Sequence, residues 1–281
     1  MMRVLKILLV LVLLWSIPVC TNSQDLYTPG SSTHQYAIWF NNLPARSVEY
    51  YLQDLYKFIH QLETKQPRFK DQTDFLRYVY YKVHRKYLRE YRSPSTMADL
   101  FEDGTYDCLT GTALYAIILE KLGIDHSIVE TTFHVFLTAS IDNRMVLIES
   151  TSPLDGFIAD SELINTTLVS YRQDHENKVW ARQDYYKPLQ PVHNRVSITE
   201  LAGLQFYNQA VAAYNSHDLE SALLNLSNAL KYYPSPRLKE MMVVMLNTLD
   251  QEDNIDPLIK DEYLSRYRHL RHPTITAYQV N

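Results

Sequence analysis

Cys108 is the only cysteine after Cys20 in a chain of 281 residues, and it opens the run "CLTGTALYAIILEKLGI". A thiol attacks as the thiolate, whereas an isolated cysteine, with a pKa of about 8.5, is mostly protonated near neutral pH. Two devices favour the thiolate: the unpaired N–H groups and dipole of a helix N-terminus, and a neighbouring histidine. The run supplies the first. Asp107 suits an N-cap and Gly123 the residue that ends a helix, while Leu109, Ala113, Leu114, Ile117, Ile118 and Leu122 leave almost no polar face. Such a helix must be buried against more than one layer. Asp107 also sets a negative charge beside the thiol, which opposes the dipole.

Ten histidines are available to serve as a base, and strand pairing selects among them. "ETTFHVFLTAS" and "RMVLIESTS" are apolar, β-branched runs separated by Ile141, Asp142 and Asn143. They predict a hairpin turning at Asp142-Asn143, with His134 in the middle of its first strand. Ile141 then pairs with Arg144, Phe136 faces Glu149 and His134 faces Thr151. Glu149 becomes the diagonal neighbour of His134 on one face, and a slip of one residue would send it to the other. Cysteine, histidine and carboxylate in this order make a nucleophile, a base and a group that orients the base. The Cys108 N–H is a natural oxyanion donor, with Tyr106 as a tentative second. Asp155 and Asp160 are reserve acids, and Asp142 is a turn residue.

These residues need a scaffold. Helical spacing of apolar residues predicts helices over 47–63 and about 73–90, then a connection, "RSPSTMADLFEDG". Beyond Pro153 short strands and loops are expected, and Pro188 and Pro191 mark a domain boundary. From Thr199 the pattern is helical. "FYNQAVAAYNSHDLESALLNLSNALKYYP" fits one tetratricopeptide-like hairpin, with Phe206, Ala210, Ala222, Leu226, Ala229 and Pro234 at the repeat's small, apolar and closing positions. A second helix pair follows from Arg237. One hairpin cannot bury its own face, so it must pack on the preceding domain or on a partner.

Other polar clusters read more simply. His126 follows a helix end, where it meets the dipole. His269 and His272 lack a matched ligand set, and the acidic run from Asp250 has Ile255 where a calcium loop requires glycine. No metal or cofactor is expected. The 22 tyrosines are scattered as amphipathic packing, and Asn165 and Asn225 head glycosylation sequons.

A composition of 46% apolar and 21% charged residues is that of a globular protein, and a formal charge of -5 gives no basic face for nucleic acid. The six glycines form neither a dinucleotide fingerprint nor a P-loop. Arg3 and Lys6, an apolar run over 7–19 and the polar "TNSQD" read as a secretory signal. Soluble export is expected, with a lipid tether at Cys20 or an uncleaved anchor as alternatives.

"YDCLTGTALYAIILEKLGI", "HVFL" and "IESTSP" together resemble the bacterial branch of the transglutaminase-like superfamily over roughly residues 70–160. The resemblance implies a papain-like α+β fold, in which helices pack on a small antiparallel sheet. It implies Cys108 as nucleophile, His134 as base and Glu149 as orienting acid. Asp107 stands where relatives often carry Asn, and "EST" replaces the commoner acidic-Thr-Thr. The expected plan is a signal and leader over 1–24, a flexible linker over 25–44, a transglutaminase-like domain over 45–190 and a helical domain over 197–281. The implied activity is thiol acyl transfer on a protein or peptide, in the periplasm: a cysteine peptidase or amidase. The alternatives are a catalytically idle scaffold with a helical protein-binding module, and a cross-linking transglutaminase.

Overall fold

The computed structural model describes residues 36–40, 43–177, 192–253 and 255–271. The expected signal, Cys20, most of the expected linker, Pro188, Pro191 and His272 lie outside them. The architecture is α+β, with a five-stranded antiparallel sheet and a helical C-terminal region.

Two helices come first, α1 (Ala45–Glu63) and α2 (Gln72–Tyr87), close to their expected spans. The connection beyond α2 is more ordered than its sequence suggested. Strand β1 (Glu90–Tyr91) pairs in parallel with β2 (Thr105–Tyr106), and between them lies α3 (Met97–Glu102). Thr96 and Asp99 cap that helix reciprocally, so the T-x-x-D spacing was its readable signal.

Helix α4 (Cys108–Lys121) forms as its composition requires. Asp107 accepts from the N–H groups of Leu109 and Thr110, and Gly123 takes φ +66°, a left-handed conformation that stops the helix. Its apolar body lies between the sheet and the later helix α6, which explains the missing polar face.

The sheet runs β6-β5-β4-β3-β7. Strands β4 (Val135–Ile141) and β5 (Arg144–Ile148) pair from Ile141↔Arg144 to Leu137↔Ile148, the register expected. Asp142 and Asn143 take φ 48° and 61°, both positive as a type I′ turn demands. The first strand of that hairpin is shorter than expected. The chain turns between β3 (His126–Thr131) and β4, so His134 stands at a hairpin tip and not in mid-strand. Thr131 closes this tip, its N–H and hydroxyl donating to the His134 carbonyl at 2.8 and 3.0 Å. Strand β6 (Phe157–Ile158) borders β5, and β7 (His193–Val196) borders β3.

The expectation of strands and loops after Pro153 fails over residues 161–177, which form helix α5 (Ser161–Asn177). Asp160 accepts from Leu163 N–H at its start, and Ile164, Leu168 and Tyr171 pack against Val129, Phe136 and Leu147. Alternate strand residues Val135, Leu137, Val146 and Ile148 join the main core with α4. The sheet is thus covered on both faces, which is why its strands are apolar at consecutive positions.

The C-terminal region comprises α6 (Ile198–Asn215), α7 (Leu219–Tyr232), α8 (Pro236–Gln251), α9 (Pro257–Arg266) and the short α10 (Arg268–Arg271). Helices α6 and α7 form the expected hairpin, with Phe206, Ala210, Ala222, Leu226 and Ala229 buried and Pro234 exposed beyond it. It packs on the preceding region: α6 lies against α4 and the 3-10 turn Ile38–Phe40. The expected flexible linker is therefore corrected at its end. Tyr36, Trp39 and Phe40 are buried, because their aromatic rings complete a core shared by both regions. Gln205 ties these parts together, accepting from Met97 N–H and donating to the Trp39 carbonyl. No helix among the described residues is long and apolar enough to cross a membrane.

The segment after β5 is held from α2. The buried Tyr80 hydroxyl serves the carbonyls of Glu149 and Ser152, and Gly156 fits so closely that a Cβ there would lie 2.1 Å from the Glu149 carbonyl oxygen. Tyr80→Phe is expected to lower stability by about 1 kcal/mol, since the Glu149 and Ser152 carbonyls each lose one donor and keep a backbone N–H. Tyr81→Phe, whose hydroxyl meets an exposed Leu154 carbonyl, should cost less than about 0.5 kcal/mol. Urea unfolding of both variants measures the difference.

Candidate active site

Three elements converge on one place. Helix α4 presents Cys108 at its first turn, the β3–β4 tip presents His134, and the segment leaving β5 presents Glu149. His134 Nε2 bonds Glu149 Oε2 directly, and Cys108 lines the same cleft as the ring. With Nε2 committed to Glu149, Nδ1 is the nitrogen left for the thiol. The structure thus brings together the three residues singled out by order and register.

Glu149 is only 6% exposed, and both its oxygens are occupied. Oε1 accepts from the Thr151 N–H at 2.9 Å and the Thr151 hydroxyl at 2.6 Å; Oε2 accepts from His134 and from the Tyr171 hydroxyl at 2.7 Å. Burial pushes this carboxyl's pKa up. The bond and charge of His134, with the Thr151 and Tyr171 hydroxyls, outweigh it and hold the group below its ordinary value. Burial likewise disfavours a charged His134, but the bond and charge of Glu149 and the neighbouring Cys108 prevail. The ring's pKa stands well above the ordinary histidine value. A cationic imidazole between a carboxylate and a thiol is the arrangement that stabilises a thiolate.

Asp107 is 1% exposed, and burial raises its pKa against the pull of its hydrogen bonds. Those bonds are numerous: Oδ1 accepts from Leu109 N–H, Thr110 N–H and the Thr110 hydroxyl, and Oδ2 from Ser95 N–H. Its charge is therefore shared with backbone donors, and it ties the 92–95 loop to the start of α4. Gly111 N–H bonds the Asp107 carbonyl. Among the described residues, Cys108 N–H is the donor in this first turn with no acceptor, so it remains open for an oxyanion.

Tyr106, the tentative second donor, is buried against the rings of His84 and Tyr91 and does not line the cleft at Cys108. Tyr91 does line it, with its side chain 52% exposed. Partial burial and the neighbouring Cys108 and Asp107 charges raise its hydroxyl pKa to about 12, so it stays a proton donor at neutral pH. The reserve acids lie elsewhere. Asp160 caps α5, and Asp155 is exposed in the turn before β6.

The cleft has a volume of about 520 Å³, and α6 supplies its far wall. Arg237, at the start of α8, reaches across to the hairpin tip beside His134. Its Nη1 donates to Glu130 at 2.6 Å and its Nη2 to the Thr132 carbonyl at 2.9 Å, while the guanidinium lies over the Tyr207 ring. Glu130 is fully buried and also accepts from the Tyr233 hydroxyl.

No family model, curated protein or solved structure matches this chain. What the site can do follows from its own geometry. Among the described residues, no group of three or more His, Cys, Asp or Glu could hold a metal ion.

Four contributors escaped the sequence reading. Tyr171 sits on α5, where the i, i+4, i+7 spacing of Ile164, Leu168 and Tyr171 was the available signal. Tyr91 was one tyrosine among many. Arg237 and Glu130 are 107 residues apart, and no local pattern joins them.

The raised His134 pKa carries a sign. The folded ring holds its proton above the unfolded value of about 6.5, so the stabilisation is complete below that pH and is lost as pH rises through the folded value. The stability difference between the wild type and His134→Gln is expected to be largest near pH 6 and to shrink steadily towards pH 9. Urea unfolding at each pH checks this; a difference that grows with pH would contradict it.

Proposed function

We propose that this protein is a thiol acyl-transfer enzyme of the transglutaminase-like, papain-like kind, acting as a peptidase or amidase. The observation that carries the reading is His134 bonded to the Glu149 carboxylate and lining one cleft with Cys108 at the start of α4. The Cys108 sulfur attacks an amide carbonyl carbon, forming a C–S bond. The Cys108 N–H meets the developing oxyanion, and Tyr91 is the second donor of choice. His134 then delivers its proton to the amide nitrogen, the C–N bond breaks and the amine leaves a thioester behind. Water attacks that thioester, His134 takes a proton from it, and the C–S bond breaks to release the acid and restore the thiolate.

Water is preferred as the acceptor because it is always present, and no acidic group on the cleft wall stands unpaired to receive an amine. The secretory pattern over residues 1–24 supports export, and the sequence after Cys20 offers Cys108 no partner cysteine.

Iodoacetamide at pH 6 is expected to alkylate Cys108 at least about tenfold faster in the wild type than in His134→Ala, read from the mass of the peptide containing Cys108. Equal rates would remove the enzyme reading and leave a binding scaffold. Glu149→Gln, which keeps an acceptor for the ring but not the charge, should fall between the two.

A further inference from the structure

We propose that the cleft takes an extended peptide segment whose side chain beside the scissile carbonyl is uncharged and apolar, and that α6 is the wall that reads it. This rests on the acyl-transfer reading of Cys108. Leu204, Tyr207, Asn208, Val211, Ala212 and Asn215 line the cleft from one face of α6, at helical spacing. From Leu204 to Asn215 the helix rises about 16 Å, the length of about five residues of extended chain. Tyr91, Ser93, Pro94 and Cys108 line the same cleft.

Charge decides the class of side chain. Glu130 and Arg237 line the cleft but are paired at 2.6 Å, and Arg237 also meets the Thr132 carbonyl and the Tyr207 ring, leaving only its Nε without a hydrogen bond among the described residues. His134 is committed to Glu149. An acidic or basic side chain entering this space would lose water and find no opposite charge. An aliphatic one would meet Leu204 and Val211. Asn208 offers a carboxamide, both donor and acceptor, which suits the alternating N–H and C=O groups of an extended backbone. The C-terminal helices thereby acquire a role in selectivity, and Arg237 is the residue that neutralises the one acid on the wall.

The test uses three tetrapeptide chloromethyl ketones, identical except for Val, Asp or Lys beside the ketone. Each reacts as Cys108 forms a C–S bond and chloride departs. On the full chain, the Val probe is expected to label Cys108 at least about tenfold faster than either charged probe. Val211→Asp should reverse the order for Lys against Val, and Asn208→Asp, which keeps the side chain's size, should move it in the same direction. Equal rates for the three probes, with His134-dependent iodoacetamide reactivity intact, would overturn the inference while leaving the enzyme reading in place. A faster Asp probe would also overturn it, showing that Glu130 does not neutralise Arg237. Loss of the His134 dependence itself would instead remove the enzyme reading.

Discussion

His134 and Glu149 are both largely removed from water, and burying either one alone as an ion would be strongly unfavourable. Their mutual hydrogen bond makes the site possible, yet it does so only while both bearers are held still. The surrounding structure meets that demand from several directions. Tyr80 and Gly156 fix the backbone that carries Glu149, Thr151 and Tyr171 fill the remaining sites on its oxygens, and Thr131 closes the tip that carries His134. A buried carboxylate with every oxygen occupied has one orientation, so the imidazole it holds has one as well.

The second consequence concerns α4. A helix with a reactive group at its N-terminus must leave one donor unspent and still satisfy the others. Asp107 resolves this by taking the N–H groups of Leu109 and Thr110 and leaving that of Cys108. The same side chain holds Ser95, so cap and cleft rim move together. Close approach matters here too. A Cβ at Gly111 would lie 2.8 Å from the Ser150 hydroxyl, and the side chain next to Glu149 could not then reach the helix. On the far side, α6 and Arg237 make the helical region a wall of the cleft, so its hairpin is buried by the rest of the chain.

The parts legible in the sequence were those fixed by near neighbours. Asp142-Asn143 set the β4–β5 turn and its register as far as Leu137↔Ile148, one residue short of Glu149, whereas His134 stands on the β3–β4 tip outside that ladder. Asp107 and Gly123 bracketed α4. Less legible was whatever depended on distant contacts. "ETTFHVFLTAS" contains no Gly, Pro, Asn or Asp, so no turn residue revealed that Thr131 folds back on His134 and splits the run into two strands. Helix α5 hid because its buried stripe is narrow beside many polar residues, and with it went Tyr171. Tyr36, Trp39 and Phe40 looked like part of a tether until α6 supplied their packing surface.

The central claim is that Cys108 and Glu149 together hold His134 as a cation. NMR titration of the ring, in the wild type and in Cys108→Ala, tests this most directly. In the wild type His134 should remain protonated through pH 7 and titrate only well above it. In Cys108→Ala, which keeps Glu149 but removes the thiol, the midpoint should fall. A wild-type ring that titrates near 6.5, with the same midpoint in Cys108→Ala, would contradict the account.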